Sequence, residues 1–366
     1  MTHALSGLKV VEFTGLGPAP LAGQLLADQG ADVVTIDRKA AAADGYDVNR
    51  RGKRSVVLDL KSAQGHAAAL RLIAASDVLI EGFRPGVMER LGLGPDDCPD
   101  RLIYARMTGW GQTGPLSQTA GHDLTYLALT GALHMIGEAD RPPVPPLNLA
   151  ADFGGGTMFL IFGILSALYE RNRSGKGQVV DAAMAEGVPA MMGLLQGWQA
   201  RGAWSDARGA NLLDGGAPFY RCYTCADGKF IAFAALEPQF FAEFLRIAKV
   251  DLSHAATQND QSTWPAKHAA YEALFASHPR DYWAALFEGS DACIAPVLTS
   301  QEAAHHPHNQ ARDTFVDIDG VQQTAPAPRL SRTQARTPQK PTAMGADTNA
   351  VLRELGYTDA QIAALT

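Results

Sequence analysis

An α/β fold is predicted for this 366-residue chain, and three observations predict it. Short apolar runs alternate with helical patterns through the first third of the sequence. The run Leu8-Lys-Val-Val-Glu-Phe13 leads through a Gly/Pro turn and a helical stretch into a second apolar run, the order of a parallel β-α-β unit. Apolar residues form 46% of the chain against 19% charged, which is enough to bury a large core or two ordinary ones.

The elements follow in order. A strand at 8–13 precedes a helix at 20–29, and Asp32-Val-Val-Thr-Ile-Asp37 is the second strand. Further strands are expected at 55–58, 78–81 and 102–107, with a helix over 63–75. The Pro-rich stretch Arg141-Pro-Pro-Val-Pro-Pro146 stiffens the chain and reads as a strap carrying Asp152 into place, not as a domain boundary. A long apolar helix is expected to start near Thr157, followed by a turn at Ser174-Gly-Lys-Gly177, a strand at 178–181 and a helix through Met192. Between 219 and 235 the pattern becomes strand, Asp227-Gly228, strand, a hairpin signal, and helices follow at 238–248 and 266–277. Residues 326–341 read as a long return connection, and Thr358 with Gln361 three positions later fits a capping box opening the last helix. These boundaries predict a Rossmann-like large domain of residues 1–204 plus 329–366 and a smaller α+β domain of 205–328.

Composition excludes several functions. A net charge of −7 argues against nucleic acid or an anionic membrane as the main partner, because both demand clustered positive charge. The longest apolar run, 158–169, is broken by Gly163 and Ser166 and falls short of a bilayer about 30 Å thick, so membrane insertion is not expected. The N-terminal residues lack the pattern of a secretory leader, and four scattered cysteines make no disulfide framework, so the cytoplasm is the expected compartment.

Three signals mislead. Gly15-Leu-Gly17 with Asp37 imitates a dinucleotide fingerprint, but the third glycine is missing and Pro18 and Pro20 occupy the turn, so a β-α turn without nicotinamide is the better reading. Cys222-x-x-Cys225 lies inside the predicted hairpin with no second pair to complete a tetrahedral site. His305-His306-Pro-His308 reads as a solvated loop. No metal is expected.

The chemistry-bearing residues lie elsewhere. In Gly121-His122-Asp123, the imidazole stands at the start of a helical pattern, where the dipole lowers its pKa while the adjacent carboxylate raises it. Asp152 precedes three glycines whose amides, at a helix N-terminus, would stabilise negative charge on a carbonyl oxygen. Glu237, ending an apolar strand before Pro238, is a candidate partner for His122. Each has a plain structural alternative: a capped histidine, an aspartate in a glycine loop, a helix-terminal charge.

These stretches, with Arg54-Ser-Val-Val-Leu-Asp-Leu-Lys61, Asp77 through Gly94, Gly109-Trp-Gly-Gln-Thr-Gly-Pro115, Asn148-Leu-Ala-Ala-Asp152, Gly175-Lys-Gly-Gln-Val-Val-Asp181 and Leu236-Glu-Pro-Gln-Phe240, run in order along nearly the whole chain. In them the sequence resembles the family III CoA-transferase superfamily, and within it the α-methylacyl-CoA racemases. Transferases of the superfamily use an aspartate corresponding to Asp152 as a nucleophile and usually carry an aromatic residue at the position of His122. The Gly-His-Asp and Leu-Glu-Pro motifs resemble the racemases.

The resemblance implies epimerisation of 2-methyl-branched acyl-CoA thioesters by two-base proton transfer through an enolate, with His122 acting on the (S) epimer and Asp152 on the (R) face. Glu237, with Asp123 nearby, would orient His122. It implies no cofactor beyond the coenzyme A of the substrate, whose phosphates and adenine would meet Arg38, Leu58, Asp59, Leu60, Lys61, Gly82, Phe83, Arg84 and Arg90. Gly121, Asp123, Leu124, Thr125 and Tyr126 would line the pantetheine and thioester. An interlocked homodimer is also implied. The alternatives are a family III CoA transferase acting through an Asp152 anhydride, and a non-enzymatic acyl-CoA binding protein.

Overall fold

The strands form because runs such as Val10-Val11 and Val78-Leu79-Ile80 are buried on both faces of a sheet, as parallel strands between helices require. The computed structural model describes residues 2–42 and 44–365. They fall into two compact units: Met1–Thr130, Pro146–Met191 and His308–Thr366 make the first, and Gly131–Pro145 with Met192–Pro307 the second.

In the first unit, β1 (Lys9–Phe13), α1 (Pro18–Asp28), β2 (Asp32–Asp37), β3 (Arg54–Val57), α2 (Ala63–Ala74), β4 (Val78–Glu81), α3 (Val87–Arg90), β5 (Ile103–Thr108) and α4 (Asp123–Leu129) follow one another. A π-helical segment, Leu149–Thr157, then runs without interruption into α5 (Met158–Ser174), followed by β6 (Val179–Ala183) and α6 (Met184–Met191). All six strands are parallel, in the order β3-β2-β1-β4-β5-β6, the doubly wound Rossmann arrangement in which strand order reverses between β1 and β4. The six strands stand where the alternating apolar runs predicted them.

Strand alternation sends Val11 and Phe13 to one face, where they pack with Ala68, Leu72 and Ile73 of α2. Glu12 points to the other, where α1 passes so closely that a Cβ on Gly23 would overlap its carboxylate. There Glu12 and Lys53 form a fully buried ion pair, 2.7 Å apart, with the ammonium also donating to Pro20 O at 2.8 Å. Burial outweighs the mutual attraction, raising the Glu12 pKa and lowering that of Lys53.

The second unit, besides residues 131–145, contains α7 (Gly193–Ala200), β7 (Tyr220–Thr224), β8 (Phe230–Ala234), α8 (Pro238–Ala248), α9 (Trp264–Phe275), α10 (Arg280–Phe287), β9 (Ile294–Pro296) and α11 (Ser300–His305). Its antiparallel sheet, β7-β8-β9, includes the hairpin read from Asp227-Gly228. Helices α8 to α10 cover the sheet with an aromatic core in which Phe233 and Phe244 lie 4.1 Å apart between ring centres. Within the hairpin Cys225 is buried and Cys222 exposed.

The chain then passes through α12 (Pro307–Ala311) into β10 (Phe315–Ile318), β11 (Val321–Thr324), α13 (Thr348–Glu354) and α14 (Asp359–Ala363). His305 and His308 thus belong to two short helices, where a loop was expected. The β10–β11 hairpin already belongs to the first unit, because the buried guanidinium of Arg51 donates to Gln323 Oε1 at 3.1 Å and Thr324 O at 2.8 Å while pairing with Asp28. Residues 342–348 cover the outer edge of β3. Thr342 Oγ1 donates to Lys53 O, Ser55 N–H to Asp347 Oδ2, Asp347 N–H to Ser55 O, and Val57 N–H to Thr348 Oγ1. The last helix carries the expected capping box, Thr358 with Gln361.

Three boundaries differ from the sequence reading. The two units part after 130, 145, 191 and 307, rather than at 204 and 328. The Pro-rich strap therefore contains a boundary, because Arg208 gathers the carbonyls of His134, Glu138 and Arg141 into the second unit. The long helix begins at Leu149, not near 157, and its 26 residues through Ser174 are long and apolar enough to cross a membrane by length and composition. Within the first unit Leu160, Ile164 and Ala167 bury one side of it, α5 packing on β5 and β6. Phe162 and Tyr169 remain about 70% exposed.

Candidate active site

Ligands of open parallel sheets bind beyond the carboxyl ends of the strands, at the reversal of strand order. Two cavities lie there in the first unit. The larger, about 940 Å³, is formed by the segments that follow β1, β2 and β3: Thr14 to Leu16, Arg38 and Lys39, and Leu58 to Lys61. Its walls are mainly apolar, with Phe13, Ile36, Phe83, Leu91 and Met344, and its cations are Arg38, Lys39 and Lys61. The smaller, about 340 Å³, follows β4 and β5 and is lined by Gly82 to Pro85, Thr108 to Trp110, and Ala120 to His122 with Tyr126. Phe83 borders both.

The loops are held from beneath by buried charge. Asp37 receives Arg50 at 2.7 Å, Ser55 Oγ at 2.6 Å and Thr14 Oγ1 at 2.7 Å. Burial would raise its pKa, but these hydrogen bonds hold it below the usual aspartate value. With its oxygens so engaged, Asp37 has little capacity left for a ribose hydroxyl, the role a dinucleotide fingerprint would give it. At the end of β4, Glu81 accepts the Phe83 N–H at 2.6 Å and Arg106 Nε at 2.9 Å, and Arg106 also grips Glu89 of α3. Arg50, Ser55, Glu81 and Arg106 were not among the sequence candidates; charge on an apolar strand was a signal for Glu81 and Arg106, whereas Arg50, in a short turn, and the neutral Ser55 carried none.

His122 is the N-cap of α4, with an exposed ring. Its backbone is clamped by Thr125, whose hydroxyl accepts the His122 N–H at 2.9 Å and donates to His122 O at 2.8 Å. Tyr126 packs edge-on against Trp110, ring centres 4.8 Å apart, in a slot that exists because Gly109 and Gly121 lack Cβ atoms that would overlap its ring.

Asp152 lies in the first turn of the helix that starts at Leu149, beside the β1–α1 loop: a Cβ on Gly17 would stand 3.6 Å from its Oδ2. Its pKa is raised, chiefly by burial and then by the Asp123 carboxylate. A hydrogen bond from the Asn148 side chain and the charge of His122 act the other way. The Asp152 carboxyl thus senses both His122 and Asp123, and the pKa of Tyr126 is raised by burial and, in smaller part, by Asp152.

Of the predicted ligand-binding residues, Arg38, Leu58, Asp59, Leu60, Lys61 and Phe83 line the larger cavity, and Gly82, Phe83, Arg84, Gly121 and Tyr126 the smaller. Arg90, Asp123, Leu124 and Thr125 line neither; the Arg90 guanidinium lies over Gly86. Glu237 belongs to the second unit, at the N-cap of α8, without a capping bond from its side chain.

Two expectations are corrected. Gly154, Gly155 and Gly156 lie inside a helix, so their amides do not form a cradle at its start. They serve packing: a Cβ on Gly155 would stand 2.8 Å from Val188 Cγ2, and one on Gly187 would overlap Gly155 O. The Asp123 carboxylate bonds the backbone of Ala151 and Asp152 instead of the His122 ring.

The profile of CoA-transferase family III matches residues 5–348. The chain is 46% identical to the alpha-methylacyl-CoA racemase of Mus musculus and 43% identical to that of Homo sapiens, in each case over 98% of this chain and 95% of the relative. It is also similar to the crystal structure of a CAIB/BAIF family protein from Brucella suis, with a TM-score of 0.79 and 26% identity over 97% of this chain and 100% of that one. The chain belongs to CoA-transferase family III.

Proposed function

We propose that this protein is an isomerase that epimerises 2-methyl-branched acyl-CoA thioesters, (R) to (S) and back. The observation that carries this reading is identity of 46% and 43%, over nearly the full chain, with two racemases named for that substrate class.

Inverting the stereocentre requires removal of the α-proton from one face and return of a proton to the other. For the (S) epimer, the His122 imidazole takes the proton, and the C–H electron pair moves into the thioester as an enolate. Protonated Asp152 then delivers a proton to the opposite face. For the (R) epimer the roles reverse. The thioester itself acidifies the α-C–H, so the chemistry calls for no redox group or metal. Support for the pair comes from the Asp152 carboxyl, which feels the charge of His122 and binds its proton more tightly than an ordinary aspartate.

Coenzyme A would occupy the larger cavity, its adenine on the apolar wall and its phosphates near Arg38, Lys39 and Lys61. The pantetheine would run past Phe83 into the smaller cavity, toward His122 and Tyr126. We further propose that the active form is a homodimer using the exposed apolar side of α5, where Phe162 and Tyr169 await cover.

Incubation of (R)- and (S)-2-methylacyl-CoA in deuterated water tests the reading. Deuterium should enter the α-position while optical purity is lost, and retention of both proton and configuration would overturn it. A CoA transferase would instead form a hydroxylamine-sensitive adduct on Asp152, visible by intact mass with acyl-CoA alone. A mere acyl-CoA binder would show neither.

A further inference from the structure

The first N–H groups of any helix lack carbonyl partners from within it. For the helix that opens at Leu149, the flanking Asn148 gives no side-chain capping bond. The cap comes from another element. Asp123 Oδ2 accepts the N–H of Ala151 at 2.8 Å and that of Asp152 itself at 2.8 Å, across 28 and 29 positions of sequence. Asp123 is 6% exposed, and its second oxygen, Oδ1, is buried without a partner. It is also the residue immediately after His122. A single carboxylate thus joins the peptide that carries the imidazole to the peptide that carries the second proton-transfer group.

We propose that Asp123 is a positioning residue for proton transfer: its carboxylate clamps the backbone of Asp152 to the start of α4 and so fixes the two acid/base groups in register. The inference rests on the racemase reading and deepens it. The clamp explains why an acceptor-only side chain stands here. Both of its partners, the N–H groups of Ala151 and Asp152, are donors, and an amide would place an N–H₂ group where Oδ1 now has no acceptor. Its charge has a second consequence. The groups that act on the Asp152 carboxyl are Asp123 and His122, from the N-terminal end of α4, and Asn148 from its own segment, with Tyr126 of α4 also close. Among them Asp123 alone opposes ionisation of Asp152, so its removal lowers the Asp152 pKa.

The test compares wild-type enzyme with Asp123→Asn and Asp123→Ala, following deuterium exchange into each epimer against pH, together with ¹³C NMR titration of the aspartate carboxyls. Asp123→Asn keeps an acceptor and removes the charge. The (R) epimer needs Asp152 ionised, so its acidic limb should move to lower pH. The (S) epimer needs Asp152 protonated, so its alkaline limb should move the same way, with about a tenfold loss in the neutral range. Asp123→Ala should lower kcat by about 100-fold with KM nearly unchanged, the mark of misplaced reacting groups. Wild-type pH limbs and an unmoved Asp152 titration in Asp123→Asn would overturn the proposal, as would a loss in Asp123→Ala confined to KM. If Asp123→Ala does not fold, the Asp123→Asn comparison decides. Absence of exchange in the wild type would sink the racemase reading instead, and the NMR titration would still decide the clamp.

Discussion

His122 and Asp152 differ in how they are held, and the difference sets separate expectations. The His122 ring is exposed and fixed only through its backbone, so His122→Ala should leave thermal stability nearly unchanged while lowering exchange from the (S) epimer by about 10²- to 10⁴-fold. Asp152 is set among groups that move its proton affinity in opposite directions. Asn148 lowers its pKa by hydrogen bonding to the carboxylate, so Asn148→Ala should raise it further. The acidic limb for the (R) epimer should then shift to higher pH, opposite in sign to Asp123→Asn, and pH-dependent kcat/KM would show it. Motifs and the family resemblance nominated His122, Asp152 and a minority of the cavity-lining residues, among them Arg38, Lys61, Phe83 and Tyr126, while Lys39, Ile36, Leu91 and Trp110 were not nominated. The bond from Asp123 to Asp152 N–H was not legible, because a carboxylate reaching a backbone donor 29 positions away leaves no trace in local spacing.

At the level of elements, the strands were readable because both faces of the first sheet are buried, leaving near-continuous apolar runs. The start of the long helix was not. Three glycines in a row imitate a loop, and only the approach of α6 shows why they are needed. Gly187→Ala should force its helix away from Gly155 O, destabilising the protein by about 1–3 kcal/mol and displacing Asp152 one turn away; chemical denaturation and kcat would report both. Lys53→Met tests the buried pair beneath α1. It strands the Glu12 carboxylate in the core, and a loss of about 3–5 kcal/mol is expected in the same unfolding measurement at neutral pH. Because Glu12 already binds its proton more tightly than a free glutamate, that deficit should shrink as pH falls and the carboxyl is neutralised.

For the whole molecule, the doubly wound topology was predicted correctly in kind, while the partition into units was not. Secondary-structure pattern marks where strands and helices lie, but membership of a unit is decided by long-range bonds such as those of Arg51 to Gln323 and Thr324. If α5 is a subunit interface, sedimentation should give about twice the 38.9 kDa chain mass, and Phe162→Glu should return it to a monomer. A wild-type chain sedimenting at the monomer mass throughout the micromolar range would end that proposal.

The cover over β3 bears on how the protein is made. Residues 342–348 leave the ribosome nearly 300 positions after the strand they protect. Until then the nascent chain carries a bare sheet margin through the synthesis of an entire intervening unit, and it is in that interval, rather than after release, that it most needs shelter from its neighbours on the polysome.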